Sequence, residues 1–295
     1  MRNKIRIGTR SSHLAVAQSR LVVERLKQQQ PEISCELVKI KTGGDRIKDR
    51  PLDKIGGKGL FVKEIEQALL DEEIDFAVHS VKDLPRLAGG GLEIACFLER
   101  GDARDVLVSE KKLDDLPPAA VVGTGSARRR CQLGLLRDDL EVKALRGNVD
   151  SRLEKLAAGK FDALILAAAG LQRLGREEKI AQFFSVEQMI PSAGQGALGL
   201  QVREDDKIIK ELISPLNDEQ TELCVRQEKE FAFALDVGCG SPVGAFAGVK
   251  NNKLKLRVIF FKDESTAPFR FEETVRAKPG INPGKTLAEK ILSRI

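Results

Sequence analysis

The sequence has no tryptophan and no tyrosine, and its 13 phenylalanines are its only large aromatic side chains. Proteins that bind single-stranded nucleic acid usually stack the bases on such rings. The net charge of +5, from 49 lysines and arginines against 44 aspartates and glutamates, is also mild. These features favour an anionic partner but do not require nucleic acid, and we predict none.

Cysteine is scarce and scattered, and the five cysteines form no CxxC pair: Cys35, Cys96, Cys131, Cys224 and Cys239. An odd number of widely spaced cysteines argues against a disulfide framework and against a zinc cluster. We therefore predict a reducing compartment and no metal site. We expect the first four cysteines to be buried packing residues.

Long apolar segments are also lacking. The longest run, ALILAAAGL at 163–171, is too short to span a bilayer. The first residues, MRNKIRIGTR, lack the apolar core of a secretory signal. The sequence therefore predicts a cytoplasmic protein without a membrane partner.

Two glycine-rich segments resemble nucleotide-binding motifs only superficially. GQGALG at 194–199 has the spacing of a dinucleotide-binding turn, but a strand-like segment follows it where that motif needs a helix. GINPGKT at 280–286 has one residue too few between its glycines for a phosphate-binding loop. Pro283 is better explained as the first residue of the last helix.

Strand-like and helix-like segments alternate in the first 98 residues, and the pattern restarts at AAVVGTGS. This alternation predicts parallel sheets with helices on both faces. ALGLQVRE (197–204) is one more strand that would return to the first domain, and from Asn217 a helix precedes three strands. We predict an α/β protein with a small α+β C-terminal domain, divided into domain 1 (1–98 and 197–216), domain 2 (99–196) and domain 3 (217–295).

Hydroxyl and basic side chains follow the predicted strands at the point where each strand ends. Ligands of open α/β sheets bind beyond the carboxyl ends of the strands, where helix N-termini and arginine forks hold anions. The residues at these ends are Arg10, Ser12, Ser80, Lys82, Thr124, Ser126, Arg128, Arg129, Arg146, Gly147, Arg152 and Arg173, with Lys54 and Lys58 in the glycine-rich segment Thr42–Gly59.

Any one of these motifs is explained equally well by a helix cap followed by a solvated basic face. Their recurrence at five strand ends favours a ligand with many negative charges. A phosphate polymer and a polycarboxylate both fit this pattern. The long segment Thr42–Gly59 is a candidate lid, because connections of that length are usually functional or mobile.

Asp83 lies among these basic residues, in FAVHSVKDLP. A carboxylate there would repel a polyanion unless it serves a chemical purpose. It would accept a hydrogen bond from a ligand N–H or stabilise a cation formed during reaction. The alternative is a salt bridge with Lys82 or an arginine.

Cys239 is singular because it lies between glycines in DVGCGSPVG, where the backbone can turn tightly and leave the thiol accessible. His13 and His79 are the only histidines, and neither has an evident relation to this cysteine. A protease-like cysteine–histidine pair is therefore not predicted. A thiol that serves as an attachment point fits better.

The order and spacing of nine motifs resemble the hydroxymethylbilane synthase, or porphobilinogen deaminase, family over essentially the whole chain. The motifs are TRSSHLA, KTGGDRI, KIGGKGLFVKEIE, DFAVHSVKDLP, GTGSARRR, LRGNVDSRL, LILAAAGLQRLG, IPSAGQGALG and GCGSPVG. Two departures are visible: His13 stands where many members have proline, and Gly125 where serine is common. Neither position carries the charge of the predicted site.

The resemblance implies a fold of two type II periplasmic-binding-protein-like α/β domains around a cleft, with a third domain that carries a cysteine. It implies an enzyme, acting as a monomer, that joins four molecules of porphobilinogen head to tail with loss of ammonia. Hydrolysis then releases hydroxymethylbilane. Porphobilinogen is a pyrrole with acetate and propionate arms, so the growing chain is a polycarboxylate.

The resemblance also implies roles for individual residues. Cys239 would hold a dipyrromethane cofactor by a thioether bond, and Asp83 would be catalytic, facing the pyrrole N–H groups and stabilising the cationic azafulvene formed on deamination. The cofactor would be bound by Lys58, Ser80, Lys82, Thr124, Ser126, Arg128, Arg129, Arg146 and Gly147. Substrate would be bound by Arg10, Ser12, Lys54, Arg146, Arg152, Arg173 and Gln195.

Two other functions are compatible with parts of the sequence. An anionic-solute-binding protein of the same architecture would share the basic strand ends, but it predicts an export signal and has no use for Cys239 or Asp83. A nucleic-acid-binding protein would bind phosphates at the same basic residues, with affinity that falls steeply with salt. The absence of tryptophan and tyrosine counts against the second.

Overall fold

The structure is a computed structural model that describes residues 4–43, 62–85, 87–235, 242–263 and 266–294. Lys54, Lys58 and Cys239 lie outside the described residues, as does the predicted lid apart from Thr42 and Gly43. The chain forms two compact units: Met1–Arg100 with Ala197–Leu223, and Gly101–Gly196 with Cys224–Ile295. The division into three domains stays a prediction.

The first unit begins with alternating strands and helices, as predicted. Ser12 begins the first helix, because its Oγ accepts the backbone N–H of Ala15 at 3.3 Å. The helix packs Val22 and Leu26 against Ile5 and Ile7 of the first strand. The elements are β1 (Lys4–Arg10), α1 (His13–Gln29), β2 (Ser34–Ile40), α2 (Lys63–Leu70), β3 (Phe76–Ser80), β4 (Ala88–Gly89) and β5 (Leu92–Phe97).

The second unit contains a five-stranded sheet of order β10-β6-β9-β7-β8. Strand β7 pairs in parallel with β8 and β9, whereas β6 runs antiparallel to β9 and to β10. The elements are β6 (Asp105–Val108), β7 (Val121–Thr124), α3 (Ala127–Gly134), β8 (Glu141–Ala144), α4 (Val149–Ala157), β9 (Ala163–Ala167), α5 (Ala168–Gln172) and β10 (Ile180–Phe183).

The chain then returns to the first unit. Strand β11 (Leu198–Arg203) inserts between β3 and β5 and runs antiparallel to both, giving the order β2-β1-β3-β11-β5-β4. Helix α6 (Lys207–Ile213) follows, and α7 (Glu219–Ala234) begins in the first unit and ends in the second. Both sheets are therefore mixed, where the sequence predicts parallel sheets. Strands β11 and β4 run opposite to the other strands of the first sheet, and β6 runs opposite to the other strands of the second.

The C-terminal part of the second unit is a three-stranded antiparallel sheet with one helix. Its elements are β12 (Val243–Lys250), β13 (Lys253–Phe260), β14 (Phe269–Arg276) and α8 (Pro283–Leu292). Asn282 caps α8 and Pro283 is its first residue, as the sequence predicts. With the two mixed sheets, this part confirms the predicted α/β class with a small α+β C-terminal portion.

The cysteines follow the predicted pattern with one exception. Cys96, Cys131 and Cys224 are buried, and all four described cysteines are free thiols. Cys35 is only half-buried, because β2 is the edge strand of its sheet. Among the described residues, no helix has both the length and the apolar character that crossing a membrane requires.

Strand β12 packs closely against the segment before β11. The N–H of Ala245 donates to the carbonyl of Pro191 at 2.9 Å. A Cβ atom on the neighbouring Gly244 would lie 2.7 Å from the carbonyl oxygen of Ile190 and 2.8 Å from Cγ2 of Ile259. Only a residue without a side chain permits this approach of two backbones.

We predict that Gly244→Ala lowers the free energy of unfolding by about 1–3 kcal/mol, because the added methyl group would force the two backbones apart. Gly248→Ala on the same strand is the matched control, since its Cβ would have 3.8 Å to the nearest atom, in Phe246. Urea unfolding of both variants measures the difference. Equal stability of the two variants would show that the contact at Gly244 is not tight.

Candidate active site

In the first unit, the predicted site residues follow two neighbouring strands. Strands β1 and β3 pair in parallel, so Arg10 at the end of β1 and Ser80 at the end of β3 lie at the same edge of the sheet. Beyond Ser80 the chain turns through one 3-10 turn, Val81–Asp83, which ends with the carboxylate of Asp83 exposed to solvent. Lys82 in this turn is half-buried.

The hydroxyl group of Ser80 is oriented by a residue that the sequence did not single out. Gln18 of α1 is buried, and its Nε2 donates to Ser80 Oγ at 2.9 Å. This bond connects helix α1 to the end of β3. Ser12 contributes to the same edge through its cap of α1, where its Oγ accepts a hydrogen bond and can still donate one.

His79 is the residue just before Ser80, and it is buried beneath this edge. Its Nε2 lies 2.9 Å from Oε1 of Gln201, whose Nε2 donates to Glu66 at 3.1 Å. Because the amide oxygen can only accept, Nε2 of the imidazole carries the proton. Burial lowers the pKa of His79 to about 4, against the opposing effects of the Gln201 hydrogen bond and the charge of Asp83.

In the second unit, two predicted arginines share one buried carboxylate. Arg128 Nη1 donates to Asp105 Oδ2 at 2.7 Å, and Arg129 Nε donates to Asp105 Oδ1 at 2.9 Å. Asp105 has no exposed surface and the two arginines are 4% and 6% exposed. Burial by itself raises the pKa of a carboxyl group, but the two guanidinium charges outweigh it and hold the pKa of Asp105 at about 2.

Arg128 and Arg129 differ in how many of their guanidinium nitrogens form hydrogen bonds within the protein. Each of the three guanidinium nitrogens of Arg129 binds inside the protein, to Asp105, to the Ile165 carbonyl or to Gln195. Arg128 uses only Nη1, which also donates to the Ile190 carbonyl at 2.7 Å. Within the described part of the chain, its Nε and Nη2 have no hydrogen-bond partner.

Gln195 belongs to the same cluster. Its Nε2 donates to the Ala103 carbonyl at 2.7 Å and to Asp105 Oδ1 at 2.9 Å, and its Oε1 accepts from Arg129. Its side chain is almost fully buried. The predicted substrate residue Gln195 thus binds Arg129 and the carboxylate that the two arginines share.

The hydroxyl groups of Thr124 and Ser126 accept backbone hydrogen bonds at the start of α3. Ser126 caps the helix by accepting the N–H of Arg129 at 3.4 Å, and Thr124 Oγ1 accepts the N–H of Ser126 at 3.2 Å. Both hydroxyl groups remain able to donate. The cap fixes the first turn of α3, on which Arg128 and Arg129 lie.

The turn after β8 holds Arg146, Gly147 and Arg152. Gly147 has a φ of +115°, and a Cβ there would collide with the Ser151 hydroxyl, so glycine is required. Arg152 Nε donates to the carbonyl of Gly147 at 2.8 Å. The guanidinium of Arg146 has no hydrogen bond or ion pair with any residue that the structure describes.

Arg173 lies just after α5 and is half-buried, with no acidic partner among the described residues. Its Nη2 donates to the carbonyl of Gly196 at 2.6 Å, and no ion pair joins it to any described carboxylate. Burial therefore lowers its pKa to about 10. A half-buried guanidinium without a carboxylate partner among the described residues is a candidate binding site for an anion.

The predicted site residues do not include Asp105, although one feature of the sequence indicates a functional role for it. Asp105 begins DVLV, a strand in which every residue is buried, and a carboxylate in such a run needs a positive partner. The chemistry of the described residues is that of anion binding, with an exposed carboxylate at Asp83. The described residues contain no group of three His, Cys, Asp or Glu side chains that could hold a metal ion.

Comparison with known proteins gives concordant matches. Residues 5–211 match the family described as porphobilinogen deaminase, dipyromethane cofactor binding domain. Residues 222–293 match porphobilinogen deaminase, C-terminal domain. A porphobilinogen deaminase of Brevibacillus brevis is 46% identical over 294 residues, which cover 99% of this chain and 94% of that protein.

Solved structures with a similar fold include two binding proteins. The methionine binding protein MetQ is matched with a TM-score of 0.47 at 12% identity, over 77% of this chain and 95% of that one. The periplasmic aliphatic sulphonate binding protein SsuA from Escherichia coli is matched with a TM-score of 0.39 at 16% identity, over 78% and 69%. The fold class of the chain follows from the strand order of its sheets.

The low pKa of His79 predicts a pH dependence of stability. The pKa of His79 falls from 6.5 in the unfolded chain to about 4 in the folded protein. Between about pH 4 and pH 6.5 His79 is therefore protonated mainly in the unfolded chain. The contribution of a neutral His79 is fully present above pH 6.5 and is lost as the pH falls through about 4. It amounts to about 3 kcal/mol, because one pKa unit corresponds to about 1.4 kcal/mol.

Urea unfolding midpoints measured across this pH range test the prediction. His79→Gln should lose most of the pH dependence, whereas His13→Gln should keep it because His13 is exposed. An unchanged pH dependence in His79→Gln would mean that other groups cause it.

Proposed function

The chain belongs to the porphobilinogen deaminase family, and we propose how its residues carry out the reaction of that family. The enzyme is a transferase with hydroxymethylbilane synthase activity in tetrapyrrole biosynthesis. It joins four molecules of porphobilinogen head to tail on a dipyrromethane cofactor with loss of ammonia, and hydrolysis then releases hydroxymethylbilane. A binding protein without catalysis is not favoured by a match to this family over 99% of the chain.

One observation supports the binding residues most directly: in the described part of the second unit, Arg128 and Arg173 have guanidinium nitrogens that bind no carboxylate. Arg173 has no carboxylate partner among the described residues, and the Nε and Nη2 of Arg128 have no hydrogen-bond acceptor there. Each pyrrole ring of substrate or cofactor brings an acetate and a propionate. Carboxylate arms have the charge and the two-point geometry that these guanidinium groups require, so the residues present fit the dipyrromethane cofactor.

We assign the binding of acidic arms to the predicted basic and hydroxyl residues. When bound, the dipyrromethane supplies the primer on which the chain grows. The residues that we assign to it are Lys58, Ser80, Lys82, Thr124, Ser126, Arg128, Arg129, Arg146 and Gly147. The residues that we assign to substrate are Arg10, Ser12, Lys54, Arg146, Arg152, Arg173 and Gln195.

Asp83 has the catalytic role in this proposal. Its carboxylate is exposed at the end of a 3-10 turn, next to the edge of the sheet where Arg10 and Ser80 lie. There it would accept a hydrogen bond from a pyrrole N–H. It would also stabilise the positive charge that develops on the substrate ring as ammonia leaves.

A cytoplasmic location and a monomeric state, without nucleic acid or membrane as partner, are part of the same proposal. The described cysteines, Cys35, Cys96, Cys131 and Cys224, are not in disulfide bonds, which supports a reducing compartment. The substrate, porphobilinogen, is a small anionic molecule, which agrees with the mild positive charge of the chain.

We predict that Cys239→Ser abolishes covalent attachment of the cofactor, because a serine hydroxyl cannot form the thioether. Intact-protein mass spectrometry after incubation with porphobilinogen measures the two-ring adduct. Cys35→Ser, which changes a half-buried thiol in β2, should keep the adduct. A two-ring adduct on Cys239→Ser would place the attachment elsewhere.

We predict that Asp83→Asn lowers kcat by about 10²–10³-fold, because the neutral amide cannot stabilise developing positive charge. Steady-state formation of hydroxymethylbilane measures the loss. Asp205→Asn is the matched control, since Asp205 is exposed after β11, at the opposite edge of the same sheet. If a folded Asp83→Asn protein that carries the two-ring adduct turned over normally, Asp83 would have no part in the mechanism.

A further inference from the structure

We propose that Asp105 is a positioning residue, whose carboxylate binds both Arg128 and Arg129 and holds the guanidinium group of Arg128 in the orientation that takes a ligand carboxylate. The inference rests on the proposed function only for the chemistry of the ligand, a pyrrole with carboxylate arms. Neither the strand-end pattern nor the family resemblance singled out Asp105.

The position of Asp105 follows from the direction of its strand. Strand β6 runs antiparallel to β9, and Asp105, its first residue, pairs with Ala167, the last residue of β9. The start of β6 therefore lies at the edge of the sheet where β7 and β9 end. Helix α3 begins at the same edge, three residues after β7, and carries Arg128 and Arg129.

Asp105 contacts the two arginines with different oxygens of its carboxylate. Oδ2 accepts from Arg128 Nη1 at 2.7 Å, while Oδ1 lies 2.7 Å from Arg129 Nη2 and accepts from Arg129 Nε at 2.9 Å. Oδ1 also accepts from Gln195 at 2.9 Å. With no exposed surface, this carboxylate cannot bind ligand itself and acts through the arginines.

The bonds to Arg128 leave one particular edge of its guanidinium for a ligand. Nη1 is held between Asp105 and the Ile190 carbonyl, both at 2.7 Å. The edge formed by Nε and Nη2 can bind a carboxylate through two parallel hydrogen bonds. This edge has no acceptor among the described residues, although the side chain is only 4% exposed.

The charges of the cluster point to the same conclusion. Two guanidinium groups against one carboxylate leave a net charge of +1 at a buried place. A carboxylate arm of the ligand would complete the balance. Asp105 thus stabilises Arg128 and Arg129 in the absence of ligand, and one positive charge remains to bind the ligand.

The experiment compares Asp105→Asn, which keeps the shape of the side chain and removes its charge, with Asp105→Glu, which keeps the charge and displaces it by one methylene group. Apo protein is incubated with porphobilinogen, and the rate at which the two-ring adduct appears is followed by intact-protein mass spectrometry. The KM for porphobilinogen is then measured on the loaded fraction. We expect slower adduct formation and a higher KM, each by at least about fivefold, as is common for coupled sites.

Asp102→Asn is the matched control, because Asp102 forms its ion pair with Arg104 and lies three residues before Asp105. It should leave both measurements unchanged. Thermal unfolding of each variant distinguishes a positioning role from a role in stability alone. A residue that only stabilises the fold lowers the stability without changing KM. If Asp105→Asn does not fold, Asp105→Glu decides the question by the same two measurements.

Folded Asp105 variants that acquire the adduct at the normal rate, with a normal KM, would overturn the inference even if they were less stable. Failure of the proposed function gives a different result, because the unaltered protein would then form no two-ring adduct at all.

Discussion

A guanidinium group that is buried away from water needs a negative charge nearby, and this requirement organises the second unit. Asp105 supplies one such charge for Arg128 and Arg129, and its pKa of about 2 shows how strongly the two cations hold it ionised. Arg173 has no such partner among the described residues, and its pKa falls to about 10. Among the described residues of this unit, two arginines share Asp105 and Arg173 has no carboxylate partner, and the polycarboxylate ligand that we propose would supply the missing negative charge.

The sequence predicts much of this fold and of the site because both follow local rules. Ser12 and Ser126 cap the helices that their positions predict, and Arg128 and Arg129 lie just beyond the end of a strand. The rule that site residues follow the ends of strands does not find Asp105, because Asp105 is the first residue of its strand. It reaches the common edge only because β6 runs antiparallel to β9, and strand direction depends on pairing between distant parts of the chain.

The sequence also gives no basis for separating Arg128 from Arg129, since the two are adjacent on one helix. The structure separates them by their acceptors: the carbonyls of Ile190 and Ile165 and the amide of Gln195 lie far away along the chain. The same limit applies to Gln18, whose bond to Ser80 spans 62 residues. Local patterns identify which side chains reach an edge, but tertiary contacts decide which of their atoms remain available.

In the first unit the charged group of interest is a carboxylate, that of Asp83, for which we propose a cationic partner. Asp83 follows closely after His79, and its charge favours a protonated imidazole there. A protonated His79 would be a positive charge beside Asp83 and would weaken its attraction for a cationic substrate ring. Burial prevents this, because it keeps the pKa of His79 at about 4 and the imidazole neutral at physiological pH. The hydrogen bond to Gln201 satisfies the neutral ring, so no positive charge on His79 offsets the negative charge of Asp83 in the role that we propose for it.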